Sequence, residues 1–503
     1  MSLGGYDLII IGAGVAGTAV GAIMASKERA KVLVLEQAIR IGGRDISFKG
    51  EELEPAGYSR LIREAARTWL FKATPDLNQI IRKGLLNGYT IEAGIHVLPG
   101  SEKGRAGTLI HYLGKSLPVY PVTSAGYFHN GRLYRFEEGS EQGGNLPWMS
   151  DEEKKALGII NREMVKMSLE DAHRLDHVPL LTWLKERTQL TRVVEYHGVV
   201  ATENCTINDP MKISAGDNIL MNRAVARAGK RFSLGGAATV EAFDLVPRTL
   251  AGVIEENGGT ILTNARVREV IIEAQTVKGV RASIEGKEEY IPAATVVSTL
   301  PIKQVFSIIP ETHFPVEFVN TIKGFWSAGA ALIYFGLSET IVHEDQTYVP
   351  ALPELTGLFG CDVRLGYWAS SNMNPSRAPE GKQLIDVYIS LTGQEAYNHS
   401  LVDRSFQVME QFFVDHYQGF KDALEWGIYT VTDHLIPVAQ APGQVGDRRP
   451  RAACPYVRGL YFASDSCECS CAAQDAAIHS GIICASRLGN KDYVRDVLPE
   501  YHW

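Results

Sequence analysis

Gly12, Gly14 and Gly17 stand at the spacing G-x-G-x-x-G in the run GAGVAG, and Glu36 closes the next apolar run. Residues of these types bind a nucleotide rather than transform one. The first glycine permits a tight turn, the second lets backbone approach a pyrophosphate, and the third lets a helix pack closely on a strand. An acid at the position of Glu36 accepts hydrogen bonds from both hydroxyls of an adenosine ribose and repels a 2′-phosphate. Just beyond it, Arg40, Gly42, Gly43, Arg44 and Ser47 spell R-x-G-G-R-x-x-S. Two small residues allow a second backbone loop to lie against the dinucleotide, and two guanidinium forks match its phosphates. The candidate contacts here are Gly12, Gly14, Val15, Ala16, Gly17, Glu36, Gln37, Arg40, Gly42, Gly43 and Arg44. The plainer reading is a glycine turn followed by a surface turn with two solvated arginines.

The elements needed to position these groups follow in order. Residues 7–11 form a β-branched run, 15–27 a helix, and 31–35 a second strand. That strand–turn–helix–strand order aims the helix amides and positive dipole end at the phosphate. The expected class is α/β with a Rossmann-like domain.

The chain has 503 residues, 45% of them hydrophobic, which suits a large core divided among several domains. With 50 basic and 58 acidic residues the net charge is −8, so nucleic acid and anionic membrane are excluded as principal partners. Seven cysteines without a cleavable signal pattern point to a reducing, cytoplasmic location rather than a disulfide framework. No transmembrane span is expected, since the apolar stretch 8–25 contains the phosphate turn; any membrane contact would be peripheral.

Further along, 59–71 has helical periodicity, and 89–100 alternates like a strand ending in Gly94-x-His96. A glycine in a strand implies close approach of a ligand or backbone. His96 either faces a reaction centre or is a buried histidine bonded to backbone. Asn130-Gly131 marks a hairpin, and Ser150 with Glu153 forms a capping box. A helix over 240–256 stops at Asn257-Gly258-Gly259; strands are expected at 260–262, 265–272, 277–284, 291–299 and 384–390, and a helix at 402–417. A strand over 459–465 ends in Asp465, and a small-residue helix covers 472–488.

Several of these stretches resemble known motifs. The R-x-G-G-R-x-x-S run, the strand YTIEAGIHVLPG with Glu92 in the place of an Asp, the turn PSRAPEGK and the closing GLYFASD with QDAA and SG are similar to those of the FAD-dependent phytoene desaturase, carotenoid isomerase and retinol saturase group. That group lies within the amine oxidase-type flavoproteins. The resemblance implies FAD, bound non-covalently, and an FAD-binding domain interleaved with a discontinuous α+β substrate-binding domain. The FAD-binding parts would be 1–107, 232–301 and 447–503, and the substrate parts 108–231 and 302–446. It further implies that the backbone of Val267 holds the adenine and that Asp465 bonds the ribityl or pyrophosphate region. Gln474, Asp475 and Ala476 would open a helix facing the flavin.

The implied activity is oxidoreduction at carbon–carbon bonds of an apolar, isoprenoid or polyene substrate, with a separate electron acceptor or donor. No catalytic residue is identifiable. An amine or amino-acid oxidase is the alternative, although residues 466–473 carry no aromatic ring for an amine cage and no lysine after Pro301 matches that group. A non-catalytic isoprenoid escort like the Rab GDP-dissociation inhibitors is the remote one. Cys467, Cys469 and Cys471 have no fourth ligand nearby in sequence, so no metal site is expected.

Overall fold

The computed structural model describes residues 5–94, 97–137, 146–227 and 236–499. Five short strands distant in sequence form a parallel sheet in the order Thr260–Leu262, Val32–Leu35, Leu8–Ile11, Val296–Ser298, Leu460–Phe462. Ile10 is aligned with Val34 on one side and Val297 on the other. The strands are apolar throughout because both faces are covered. On one face Leu8, Ile10, Val32 and Val34 pack with helices Val15–Lys27, Leu245–Glu256 and Ala473–Gly489. On the other, Ile9, Ile11, Leu33 and Leu35 pack with the antiparallel strands Ala265–Glu273, Thr276–Ile284 and Lys287–Pro292.

A second sheet has eight strands in the order Thr68–Thr74, Leu424–Ile436, Ala328–Leu337, Gln383–Thr392, Leu365–Trp368, Gln346–Val349, Ser124–His129, Arg132–Glu137. Helix His399–His416 packs Phe406, Met409 and Phe413 into the core on this sheet. Residues 151–227 form a helical layer, from Asp151–Lys166 through Thr191–Cys205 to Ala215–Arg227, around Trp183 and Leu184.

The hairpin at Asn130-Gly131 forms with φ of 50° and 70°, and the Ser150–Glu153 capping box is present in both directions. Several expected boundaries move, and the strand expected over 89–100 is confined to Thr90–Glu92. The helix expected over 59–71 runs instead Pro55–Ala66, stops at Arg67 in the left-handed region, and gives way to the strand Thr68–Thr74. The apolar residues of that strand answer to Leu424–Ile436, a partner no local period reveals. The run over 291–299 is divided: Lys287–Pro292 belongs to the antiparallel layer and Val296–Ser298 to the parallel sheet. The helix expected from 240 begins at Leu245, because Ala237–Thr239 pairs with Val119–Pro121. Among the described residues no helix is long and apolar enough to cross a membrane.

Candidate functional site

The turn after the first strand is built by contacts too close for side chains. A Cβ on Gly17 would lie 2.1 Å from the Gly12 carbonyl oxygen, so only glycine lets the helix start against the turn. Gly14 and Gly42 are bridged as in a parallel ladder, and the Gly42 amide donates to the Ala13 carbonyl at 3.0 Å. A Cβ on Gly43 would come within 3.2 Å of Gly14 Cα. The two glycine loops thus lie backbone to backbone beside the N-terminus of helix Val15–Lys27. That leaves amides and a dipole end beside a bare floor suited to phosphate.

Glu36 stands at the end of the second strand, and its carboxylate accepts from the Ala13 and Ala38 amides, both at 2.8 Å. Burial pushes this carboxyl above its ordinary value, while those amides pull it down. Next to it Gln37 donates to the Glu64 carbonyl at 3.2 Å and accepts from Arg266 Nε at 3.2 Å. Val267, on the strand beside them, lines the same cavity.

The two arginines of the second glycine turn diverge. Arg40 pairs at the surface with Glu52 at 2.7 Å and does not line the cavity. Arg44 lines it, donating to the Leu435 carbonyl at 2.9 Å and to Asp465 Oδ2 at 2.7 Å. Asp465 is 1% exposed, and its Oδ1 has no hydrogen-bond partner among the described residues. Gln474 donates to Asp45, and its buried Oε1 likewise lacks a partner there. Both residues line the cavity at the start of helix Ala473–Gly489, with Asp475. Gly17 and Ala476 are buried behind the wall; neither lines the cavity.

All of this borders one cavity of ≈ 600 Å³. It is bordered by the side-chain-free cradle, by Glu36, and by Asp465 and Gln474, each with a buried oxygen that has no partner among the described residues. Those groups fit a dinucleotide with a polyhydroxylated chain, since buried oxygens without donors are costly. His96 lies outside the described residues.

The cavity also meets Glu203, Asn204, Thr206, Met221, Trp368 and Tyr388. The rings of Trp368 and Tyr388 stack with centroids 5.5 Å apart and planes 11° from parallel. Tyr388 donates its hydroxyl proton to Glu203 Oε2. Burial pushes the Glu203 carboxyl up to about 7, against the lowering pull of Tyr388 and of Arg364. Sequence reading missed these residues. Glu203 ends an apolar run of helix Thr191–Cys205, where only a half-buried acid following Val199, Val200 and Ala201 could have drawn notice.

Lys303, after Pro301, donates to the Phe325 carbonyl and does not line the cavity. The thiols of Cys467, Cys469 and Cys471 are buried and pushed up to about 12, 11 and 12, so they stay protonated near neutrality. Arg449 donates to Cys469 Sγ at 3.2 Å. Among the described residues no three His, Cys, Asp or Glu side chains are grouped to hold a metal ion.

Residues 16–489 match the family model of flavin containing amine oxidoreductases. The chain belongs to that family. Its members carry a flavin, and the chain is accordingly a flavin-dependent oxidoreductase. Phytoene desaturase (neurosporene-forming) of Cereibacter sphaeroides is 26% identical over 187 residues, 34% of each chain. The match therefore spans about a third of the length of this curated relative. Among solved structures, an oxidoreductase from Methanosarcina mazei superposes with a TM-score of 0.69 at 14% identity, covering 96% of this chain and 100% of the other. Putrescine oxidase bound to putrescine gives 0.62 at 14% identity, covering 97% and 99%. Likeness at these identities establishes the amine oxidase-type fold, an α/β Rossmann-like flavin domain with a second sheet.

Proposed function

We propose that this oxidoreductase uses FAD, held non-covalently, to act on carbon–carbon bonds of an apolar unsaturated substrate of isoprenoid or polyene type, by desaturation, saturation or isomerisation. When bound, the flavin supplies hydride acceptance or donation. The chain's own residues do the rest. The Gly12–Gly14 and Gly42–Gly43 loops take the pyrophosphate on backbone amides, and Glu36 takes the ribose hydroxyls. Gln37 and the backbone of Val267 border the adenine end. Arg44 and Asp465 hold the central region, and the amides at the start of helix Ala473–Gly489, beside Gln474, set positive potential beside the ring. Apolar walls from Val97, Met221, Phe243, Leu300 and Ile436 exclude water around the reacting carbons. A separate electron acceptor or donor completes the cycle, and a reducing, cytoplasmic setting suits seven unpaired cysteines.

The observation that carries this reading is the loop 466–473, which meets the cavity at Ala472 and Ala473 and carries no ring, so it offers no half of an aromatic amine cage. Oxidation of an amine is the second reading, favoured by the ring surface of Trp368 and Tyr388. Those two rings stack on each other from neighbouring strands instead of facing across a gap. Anaerobic incubation with polyenes and with amines separates the two: a polyene should bleach the oxidised flavin if it is desaturated, restore the absorbance of the prereduced flavin if it is saturated, or be recovered as a geometric isomer if it is isomerised. Bleaching by primary amines alone, with peroxide formed on admitting air, would reverse the order.

Non-covalent attachment has its own check. The cysteines nearest Asp465 are buried and protonated, poor nucleophiles toward a flavin ring. Acid precipitation should therefore release intact FAD into the supernatant, and flavin retained in the pellet would contradict this.

A further inference from the structure

The loop between Asp465 and helix Ala473–Gly489 leaves the cavity wall after Asp465 and returns to it at Ala472. At its return the backbone is bent against its own preference: Cys471 and Ala473, neither of them glycine, have φ of 69° and 50°. A residue with a side chain is strained in the left-handed region and stays there only where its surroundings impose it. All four backbone polar groups of Ser470 and Cys471 are bonded to buried side chains from elsewhere in the chain. The Ser470 amide donates to His479 Nδ1 at 3.1 Å, and its carbonyl accepts from Arg105 Nη1 at 2.7 Å. The Cys471 amide donates to Asp217 Oδ1 at 3.2 Å, and its carbonyl accepts from Gln440 Nε2 at 3.1 Å.

Arg105, 3% exposed, makes the most of these contacts. Its Nη2 donates to Ser470 Oγ at 2.9 Å, and Nη1 also reaches the Asp475 carbonyl, in the first turn of the helix, at 3.2 Å. Burial, and after it the Arg105 charge, holds His479 well below its ordinary range, so Nδ1 stays unprotonated and can accept. At the other end of the loop Arg449, also buried, donates to the Asp465 carbonyl at 2.9 Å. The helix begins at Ala472 without a side-chain cap, which leaves its first amides to whatever enters the cavity. A guanidinium that joins the loop to the first turn thus fixes the direction in which those amides point.

We propose that Arg105 is a positioning residue for the flavin: by clamping Ser470 to Asp475 it holds the strained loop, aims the uncapped start of helix Ala473–Gly489 at the ring, and so raises the flavin's reduction potential. Fixed amide dipoles stabilise the electron-rich reduced ring more than the oxidised one, and that difference is read as a reduction potential. The inference rests on the flavin occupying this cavity and is independent of the substrate the flavin meets.

Arg105→Lys keeps the charge but not the fork, and so separates the clamp from a bare Coulombic effect. Reduction potentials of bound FAD are measured by anaerobic dye-coupled reduction, with the flavin content of each protein recorded. Arg105→Lys should favour reduced over oxidised flavin about 10-fold less than wild type, which lowers a two-electron potential by about 30 mV. Cys471→Gly, which takes a positive φ without strain, should restore most of that shift when combined with Arg105→Lys. Cys471→Val in a chain with Arg105 intact should lower the potential in the same direction, because a β-branched side chain resists the left-handed region. An Arg105→Lys potential equal to wild type would overturn the clamp, since charge alone would then suffice. A shift that Cys471→Gly leaves untouched would also overturn it, since that marks only a loss of packing around the guanidinium. Cys471→Val decides the matter even where the Arg105 variant does not fold: an unchanged potential there counts against the clamp. Wild-type protein that takes up no FAD would overturn the inference together with the cofactor site, a failure distinct from a potential that does not move.

Discussion

Asp465→Ala is expected to lose most of its flavin on gel filtration, whereas Asp475→Ala keeps it. The Asp465 carboxylate is 1% exposed and sits where the strand Leu460–Phe462 delivers the chain to the cavity. One oxygen takes the Arg44 guanidinium at 2.7 Å; the other has no partner among the described residues and is available to a hydroxyl of the cofactor. Truncation removes that acceptor and leaves Arg44 bonded only to the carbonyls of His434 and Leu435. Loss of a hydrogen bond to a charged group costs ~1.5–3 kcal/mol. In dissociation constant that is roughly 10- to 150-fold. Asp475 stands in the first turn of helix Ala473–Gly489, where a charge contributes ~0.3–1 kcal/mol through the helix dipole. The ratio of flavin to protein absorbance after desalting measures both variants, and equal ratios would refute the assignment of Asp465.

What the sequence reveals of this site is what lies close together along the chain. Gly12, Gly14, Gly17 and Glu36 share one strand–helix–strand unit, so their spacing carries their geometry, and Glu36 does meet the Ala13 amide of the glycine turn. Arg40 and Arg44 look equivalent in the run R-x-G-G-R, yet Arg40 turns to Glu52 and Arg44 to Asp465, 421 positions away. A difference of this kind depends on which distant strand passes nearby. Glu203 and Tyr388, 185 positions apart, are invisible for the same reason: each reads locally as part of a helix or strand face. Gly366 reads as an interruption of an apolar run, and only the Tyr388 ring beside it explains the absence of a side chain. The start of the strand Thr68–Thr74 reads as the end of a helix because Leu70 continues the helical spacing of Leu61, Ile62, Ala65 and Ala66, while the ladder with Leu424–Ile436 decides the conformation.

The largest loss of stability is expected from Arg377→Ala. The turn PSRAPEGK owes its shape to prolines and a glycine, but its arginine has a further role: the side chain is 3% exposed and reaches back to the strand Thr90–Glu92. Arg377 Nη1 meets Glu92 Oε1 at 2.8 Å, Nε donates to the Thr90 carbonyl at 2.7 Å, and Nη2 lies 3.8 Å from Asp386. Glu92, itself 1% exposed, also accepts from the Phe243 amide at 3.0 Å. One ion pair thus ties the turn, the strand leading to Gly94 on the cavity wall, and the approach to helix Leu245–Glu256. Removing a single member leaves a buried carboxylate unpaired, at a cost of ~3–5 kcal/mol. Replacing both members of the Glu92 pair together, as Glu92→Gln with Arg377→Met, leaves only Asp386, which keeps its Ser370 hydroxyl donor, without a cation, and should cost distinctly less than Arg377→Ala alone, which leaves both carboxylates so. Urea denaturation followed by tryptophan fluorescence compares the three proteins. An Arg377→Ala midpoint equal to wild type, or a double variant no more stable than the single one, would show that the pair does not hold this wall in place.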